Sequence, residues 1–285
     1  MKLQVFASSW ALGGTSSALA EISSGLYDGL EAPIPSEASW TAEVRRRLAD
    51  WGAPWIAEVA TGGDLAPHSS VSFAEHLDHL DRSLDRAAEA GVVLATCHAG
   101  SDSWPLDRAV EFFGLALEMS QRCPFPVSFE TRRGRPTSTP WNTLALLRHL
   151  PGLELTCDFA QWCVVCERLP DDSSPLASAM ARARHVRARV GYAQGPQVPD
   201  PKAPEYRNEL SRHESWWWGV WKIQRDRGFP ITTVTPSFGP DGYTHELPFT
   251  RLPVTSAQEV NRWMVRRLRG NFLESELTVP DAKAG

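Results

Sequence analysis

Reactive side chains recur along this chain where apolar runs give way to turn residues. They are Trp10, Glu31, Glu58, His98, Glu130, Asp158, Arg187 or Arg189, and Ser237. Glu130 and Asp158, joined by a nearby imidazole from His98 or His185, are the residue types that hold a divalent cation. They are equally able to move protons without one, as general base and acid. The competing reading makes them capping and ion-pairing residues at a rim, and spacing alone does not separate the two.

The elements that must position these residues follow from periodicity. Apolar runs at Leu3–Ser9, Asp28–Ile34, Pro54–Thr61, Val92–Gly100, Pro126–Thr131, Leu153–Phe159, His185–Gly191 and Ile231–Ser237 read as strands. Amphipathic segments lie between them. Ser36 is placed to cap one that stops at Gly52, and another ends at Gly91. Trp141–His149, Pro175–Arg184, Glu205–Arg227 and Ala257–Leu273 continue the rhythm. Continuously apolar strands joined by helices imply a parallel sheet. Eight such units in 285 residues imply an α/β fold of the (β/α)8 barrel type over residues 1–276, with a flexible tail at 277–285. In such barrels the site lies at the C-terminal ends of the strands, where the reactive residues stand.

Bulk properties narrow the partners. A net charge of −5 argues against a nucleic-acid surface. No apolar stretch is long enough to span a membrane, and MKLQVFASSW reads as a first strand, not as a leader. Five cysteines without a leader point to reduced thiols and a cytoplasmic protein. CVVC (Cys163–Cys166) has zinc-like spacing but no second pair to complete a site. Lys is rare and Arg abundant, which fits a GC-rich genome more than a function.

Taken in order, YDGLEAPIP, EVATGG, CHAGSDSW, SFETRRGRP, TCDFAQW, HVRARVGYAQGPQVPDP and TPSFGPDGY carry a resemblance. The chain resembles the sugar phosphate isomerase/epimerase family, the xylose-isomerase-like TIM barrels. The resemblance implies a divalent metal such as Mn, Zn or Co at the barrel mouth, held by Glu, Asp, His and Glu from the fifth to eighth strands. Glu130 and Asp158 match the first two positions. The third falls on Arg187, unless HVRAR shifts by two so that His185 serves, which keeps the same strand face. The fourth falls on Ser237. Gln161 stands where relatives tend to have His, and Ser101 where they tend to have Arg.

Arg offers a metal no lone pair, and Ser is a poor replacement for a carboxylate. The expectation is therefore a site without cofactor, in which Arg187 takes the cation's place and neutralises Glu130 and Asp158. A metal-independent isomerase, epimerase or lyase acting on a small polar or cyclic metabolite follows. Glu130, Asp158, His185 and His98 are its acid/base groups, and Arg132, Arg187 and Arg189 bind a carboxylate or an oxyanion. A metal-dependent enzyme with a weakened site on Glu130, Asp158 and His185, and a non-catalytic binding barrel, are the alternatives.

Further lining is expected from Gln161, Ser237, Glu31, Tyr243 and His245, with Trp10 and Trp104 stacking on substrate or plugging the barrel. GPQVPDP (Gly195–Pro201) reads as a substrate lid or a plain surface loop. TGGD (Thr61–Asp64) lacks the context of a phosphate loop. WWWGVW (Trp216–Trp221) is a packing face, with a homodimer surface as the alternative.

Overall fold

The computed structural model describes residues 1–63, 66–240 and 242–277. The eight strands are β1 (Lys2–Ser8), β2 (Gly29–Ala32), β3 (Trp55–Ala60), β4 (Leu94–His98), β5 (Val127–Glu130), β6 (Leu155–Cys157), β7 (Ala183–Ala188) and β8 (Ile231–Pro236). Each pairs in parallel with its sequence neighbour, and β1 closes onto β8, making a (β/α)8 barrel. The helices are α1 (Thr15–Ser23), α2 (Ala38–Asp50), α3 (Phe73–Ala90), α4 (Leu106–Gln121), α5 (Pro140–His149), α6 (Phe159–Val165), α7 (Ser174–Ala181), α8 (Arg207–Asp226) and α9 (Ala257–Leu277).

Strand alternation sorts the core. Val5, Ala7, Ala57, Val59, Ala95, Cys97, Val127, Phe129, Val186, Ala188 and Val234 belong to the large core between sheet and helices. The intervening residues point into the barrel. Its floor is a small separate cluster of Phe6, Ile56 and Leu94. Gly29 is required there, because a Cβ would sit 2.6 Å from the Phe6 ring and 2.5 Å from the Pro54 carbonyl. Above the floor the interior turns polar. Ser128 and Thr156 hydroxyls lie 2.6 Å apart, and Thr96 donates to Glu31 at 3.0 Å.

Local signals explain the helix ends. α3 opens with a capping box between Ser72 and Glu75 and stops at Gly91 in the left-handed region. The expected Ser36 cap is not used: Glu37 is the N-cap of α2 and makes no side-chain capping bond. α6 was not anticipated, because it is short and begins immediately at Asp158, which caps it. Within α8, Trp216, Trp217 and Trp221 are buried as packing residues, whereas Trp218 is exposed. The expected tail lies, from residue 278 onward, outside the described residues. No helix among the described residues is long and apolar enough to cross a membrane.

Candidate active site

β7 sends His185 and Arg187 inward on successive pleats, and the next inward side chain, Arg189, lies just past the strand's end. Arg187 stands level with Thr235 of β8. Its Nη2 lies 2.8 Å from Glu31 Oε1 and 3.0 Å from Glu58 Oε2, and its Nε lies 2.8 Å from Glu130 Oε2. The Nε approach is close but poorly aligned for a hydrogen bond, so it acts as an ion pair. Burial works against the Arg187 charge, yet Glu130, Glu31 and Glu58 together hold it firmly ionised.

Glu130 has two further partners. His98 Nε2 lies 2.6 Å from Oε2, and Arg132 Nη1 donates to Oε1 at 3.2 Å. Burial favours the neutral acid, but Arg187, His98 and Arg132 outweigh it and hold Glu130 well below the usual carboxylate range. Glu31 behaves alike: burial opposes its charge, Arg187 and His185 overcome that, and its pKa falls to about 2. Burial lowers the His98 pKa despite the adjacent Glu130.

Asp158 is not a partner of Arg187, contrary to expectation. Arg189 takes that role with a short contact to Asp158 Oδ2. Asp158 Oδ1 also accepts from the Ala160 N–H at 3.1 Å, and Gln161 Nε2 lies 3.5 Å from Oδ2. The Arg189 guanidinium lies against two aromatics, 4.7 Å from the Tyr243 ring centre and 5.7 Å from that of Trp10. Trp10 and Tyr243 meet edge to face at 5.0 Å.

The remaining expected residues scatter. Ser237 is buried at the end of β8, and its Oγ has no hydrogen-bond partner among the described residues. His185 lies one pleat deeper than Arg187, between Thr233 Oγ1 at 2.8 Å and Thr235 Oγ1 at 3.1 Å. Its nearest carboxylate oxygen, Glu31 Oε2, is 3.6 Å away. His185 thus makes no ion pair with Glu130 or Asp158 among the described residues. Trp104 packs on Phe73, His76 and Phe112 at the α3–α4 face and lies beside Gly100 in the loop after β4. His245 is 3.1 Å from the Tyr192 hydroxyl, in the loop after β8. In GPQVPDP, Gln197 clamps Gly239, accepting its N–H at 2.7 Å, which ties this loop to the β8 loop.

Three residues carry more of the mouth than the sequence suggested. Arg133 lies 5.4 Å from the Tyr243 ring centre. Arg135 is buried and donates to the Thr61 and Gly100 carbonyls at 2.6 and 2.9 Å, pinning the loops after β3 and β4. Glu58 is the acid that reaches open space. A cavity of about 790 Å³ beside β1, β2 and β3 is lined by Ser9, Trp10, Thr15, Ile34, Glu58 and Arg86, among others. Glu31, Glu130 and Asp158 are buried and are not among the residues that line it.

A divalent cation at the position that the sequence resemblance implies would need Glu130 and Asp158 as ligands. Both are committed to guanidinium groups, and the third and fourth positions carry Arg187 and Ser237. This donor set does not fit a metal.

No family model and no curated protein matches the sequence. Solved structures do match in fold. An L-ribulose 3-epimerase aligns with a TM-score of 0.64 at 12% identity, covering 100% of both chains. The probable 3-DHS dehydratase AsbF from Bacillus anthracis gives 0.59 at 12% identity, over 94% of this chain and 99% of that one. The IOLI protein with a bound zinc atom gives 0.62 at 9% identity, over 95% and 97%. The chain thus has the xylose-isomerase-like barrel fold of these proteins.

Proposed function

We propose that this barrel is a metal-independent acid/base enzyme of the isomerase, epimerase or lyase type, acting on a small polar metabolite. The observation that carries this reading is Arg187, whose guanidinium sits among Glu31, Glu58 and Glu130 at a position where the resemblance expects a metal ligand. A fixed positive charge beside an open cavity stabilises negative charge developing on a substrate oxygen. Glu58 lines that cavity while paired to Arg187, so it is the carboxylate placed to take a proton from a substrate carbon or hydroxyl. Glu130, with His98 and Arg132, fixes the other side of Arg187 and acts as a positioning residue. Fold likeness to epimerases and to a dehydratase supports the same reaction classes.

Elemental analysis of protein purified without chelator is the test. The reading expects no stoichiometric Mn, Zn, Co or Fe, and no rise in melting temperature on adding them. One equivalent of tightly held metal would overturn it. A non-catalytic barrel is the second reading, favoured by the sealing of Glu31, Glu130 and Asp158. Turnover by the wild type that is lost in Glu58→Gln, on any small hydroxy-carbonyl compound, would exclude it.

A further inference from the structure

The charges of the mouth are divided in space. Glu31 stands buried on β2, and Glu58 on β3 lines the cavity. Arg132 and Arg133 follow β5, Arg189 follows β7, and all three converge on one phenol. Arg189 lies 4.7 Å and Arg133 5.4 Å from the Tyr243 ring centre, and Arg132 Nη2 lies 3.5 Å from the Tyr243 hydroxyl. Arg132 is paired with Glu130, and Arg189 with Asp158. Arg133 has no ion pair among the described residues and is partly exposed, so the cluster keeps an excess of positive charge reachable from solvent.

The pairing of Arg189 is incomplete. Its Nη2 serves Asp158, while its Nε and Nη1 are buried with no hydrogen-bond partner among the described residues. Arg189 is 2% exposed, and an unpaired buried guanidinium edge costs free energy until an acceptor arrives. Close by, two more buried atoms on the same mouth, Ser237 Oγ and Gln161 Oε1, also lack partners among the described residues. Arg is the side chain whose planar fork matches carboxylate and phosphate oxygens two at a time. Arg133 supplies the exposed entry, Arg189 the fork beneath, and the Tyr243 hydroxyl a third donor.

We infer that the cluster of Arg132, Arg133, Arg189 and Tyr243 is an oxyanion seat, and that the substrate carries a carboxylate or phosphate group. The inference rests on the enzyme reading only for the word substrate, since anion binding is measurable without turnover. Trp10 joins both halves of the mouth: it lines the cavity and touches Tyr243. A molecule anchored by its oxyanion on the arginine side would extend past Trp10 and present a hydroxyl or carbonyl carbon to Glu58 and Arg187. This polarity favours hydroxy acids or phosphorylated polyols over neutral sugars.

Calorimetric titration at low ionic strength tests the seat, with inorganic phosphate and glycolate as probes and chloride as the control. The expected result is saturable binding of at least one probe, not shared by chloride. Affinity should fall at least tenfold in Arg133→Ala and recover in part in Arg133→Lys. Arg133 holds no buried carboxylate, so its loss leaves the fold intact, and an unchanged melting temperature without probe verifies this. Arg189→Lys keeps a charge near Asp158 and should also weaken binding. Preference for glycolate assigns a carboxylate substrate, and preference for phosphate assigns a phosphate ester. Absence of binding, or binding indifferent to Arg133→Ala, overturns the seat and leaves the cluster as a clamp on Tyr243. Neither result depends on metal content, so this test and the elemental analysis fail separately.

Discussion

The Nε of Arg187 lies 2.8 Å from Glu130 Oε2, at the centre of a sealed group of carboxylates. Neither partner has water to fall back on, so removing the cation leaves buried negative charge uncompensated. Arg187→Ala should therefore destabilise the fold by about 3–5 kcal/mol. Equilibrium urea unfolding measures this, and an unchanged midpoint would remove Arg187 from its structural role. Glu130→Gln added to Arg187→Ala should recover part of the loss, because it deletes one of the stranded charges.

Stability should fall on acidification in two stages. Burial, with a smaller contribution from Arg135, depresses His76 to about 4, and burial likewise depresses His213 to about 4. The unfolded chain then binds protons first, so stability held above about pH 6.5 is lost as pH drops towards 4. Glu31, depressed to about 2, extends the loss from about pH 4.5 downward, and Glu130 acts in the same direction. Unfolding free energy measured from pH 3 to 8 should rise with pH throughout the range below about 6.5. A flat profile between pH 4 and 6.5 would mean that His76 and His213 are not held neutral.

The barrel was legible because strand runs and helical stretches alternate with little ambiguity, and because the reactive residues cluster at strand ends. That Arg187 is not itself a metal ligand was also legible, since a guanidinium has no lone pair to offer, and so was its pairing with Glu130. Its other two partners were not. Glu31 and Glu58 come from strands far off in sequence, and only barrel closure brings them to Arg187. The pairing of Asp158 with Arg189 depends on β7 ending at Ala188, three residues before the end expected from its apolar run. The contacts of Trp104 were not legible either: a strand-end position says nothing of the neighbouring helices, whose aromatic residues pack on the indole.

Tyr243 should titrate near neutrality. Burial opposes formation of its phenolate, but Arg189, Arg132 and Arg133 outweigh burial and bring the pKa down to about 8. Tyr27 and Tyr192 are shifted upward by burial, so Tyr243 should ionise before them. Ultraviolet difference spectra near the phenolate band should show about one tyrosine ionising around pH 8, lost in Tyr243→Phe. The sign for stability follows: the folded state releases this proton first, so the ion contributes stability that grows from about pH 8 to 10 and is absent below it. Retention of the step in Tyr243→Phe would assign it elsewhere.

Gly239 tests whether the β8 loop and Trp10 are locked together. A methyl group at this position would lie 1.8 Å from the Trp10 ring, so the indole must move. The backbone offers no easy retreat, because the Gly239 N–H is held by Gln197 Oε1 at 2.7 Å and its carbonyl accepts from Thr244 Oγ1 at 2.6 Å. Gly239→Ala should cost about 1–3 kcal/mol as overpacking, and it should shift tryptophan emission as Trp10 leaves Tyr243. In a Trp10→Ala background the three nearest atoms, all of the indole, are gone, and the same substitution should cost less. Equal costs in the two backgrounds would show that Trp10 is not what Gly239 accommodates, and that the contact between the two halves of the mouth is made elsewhere.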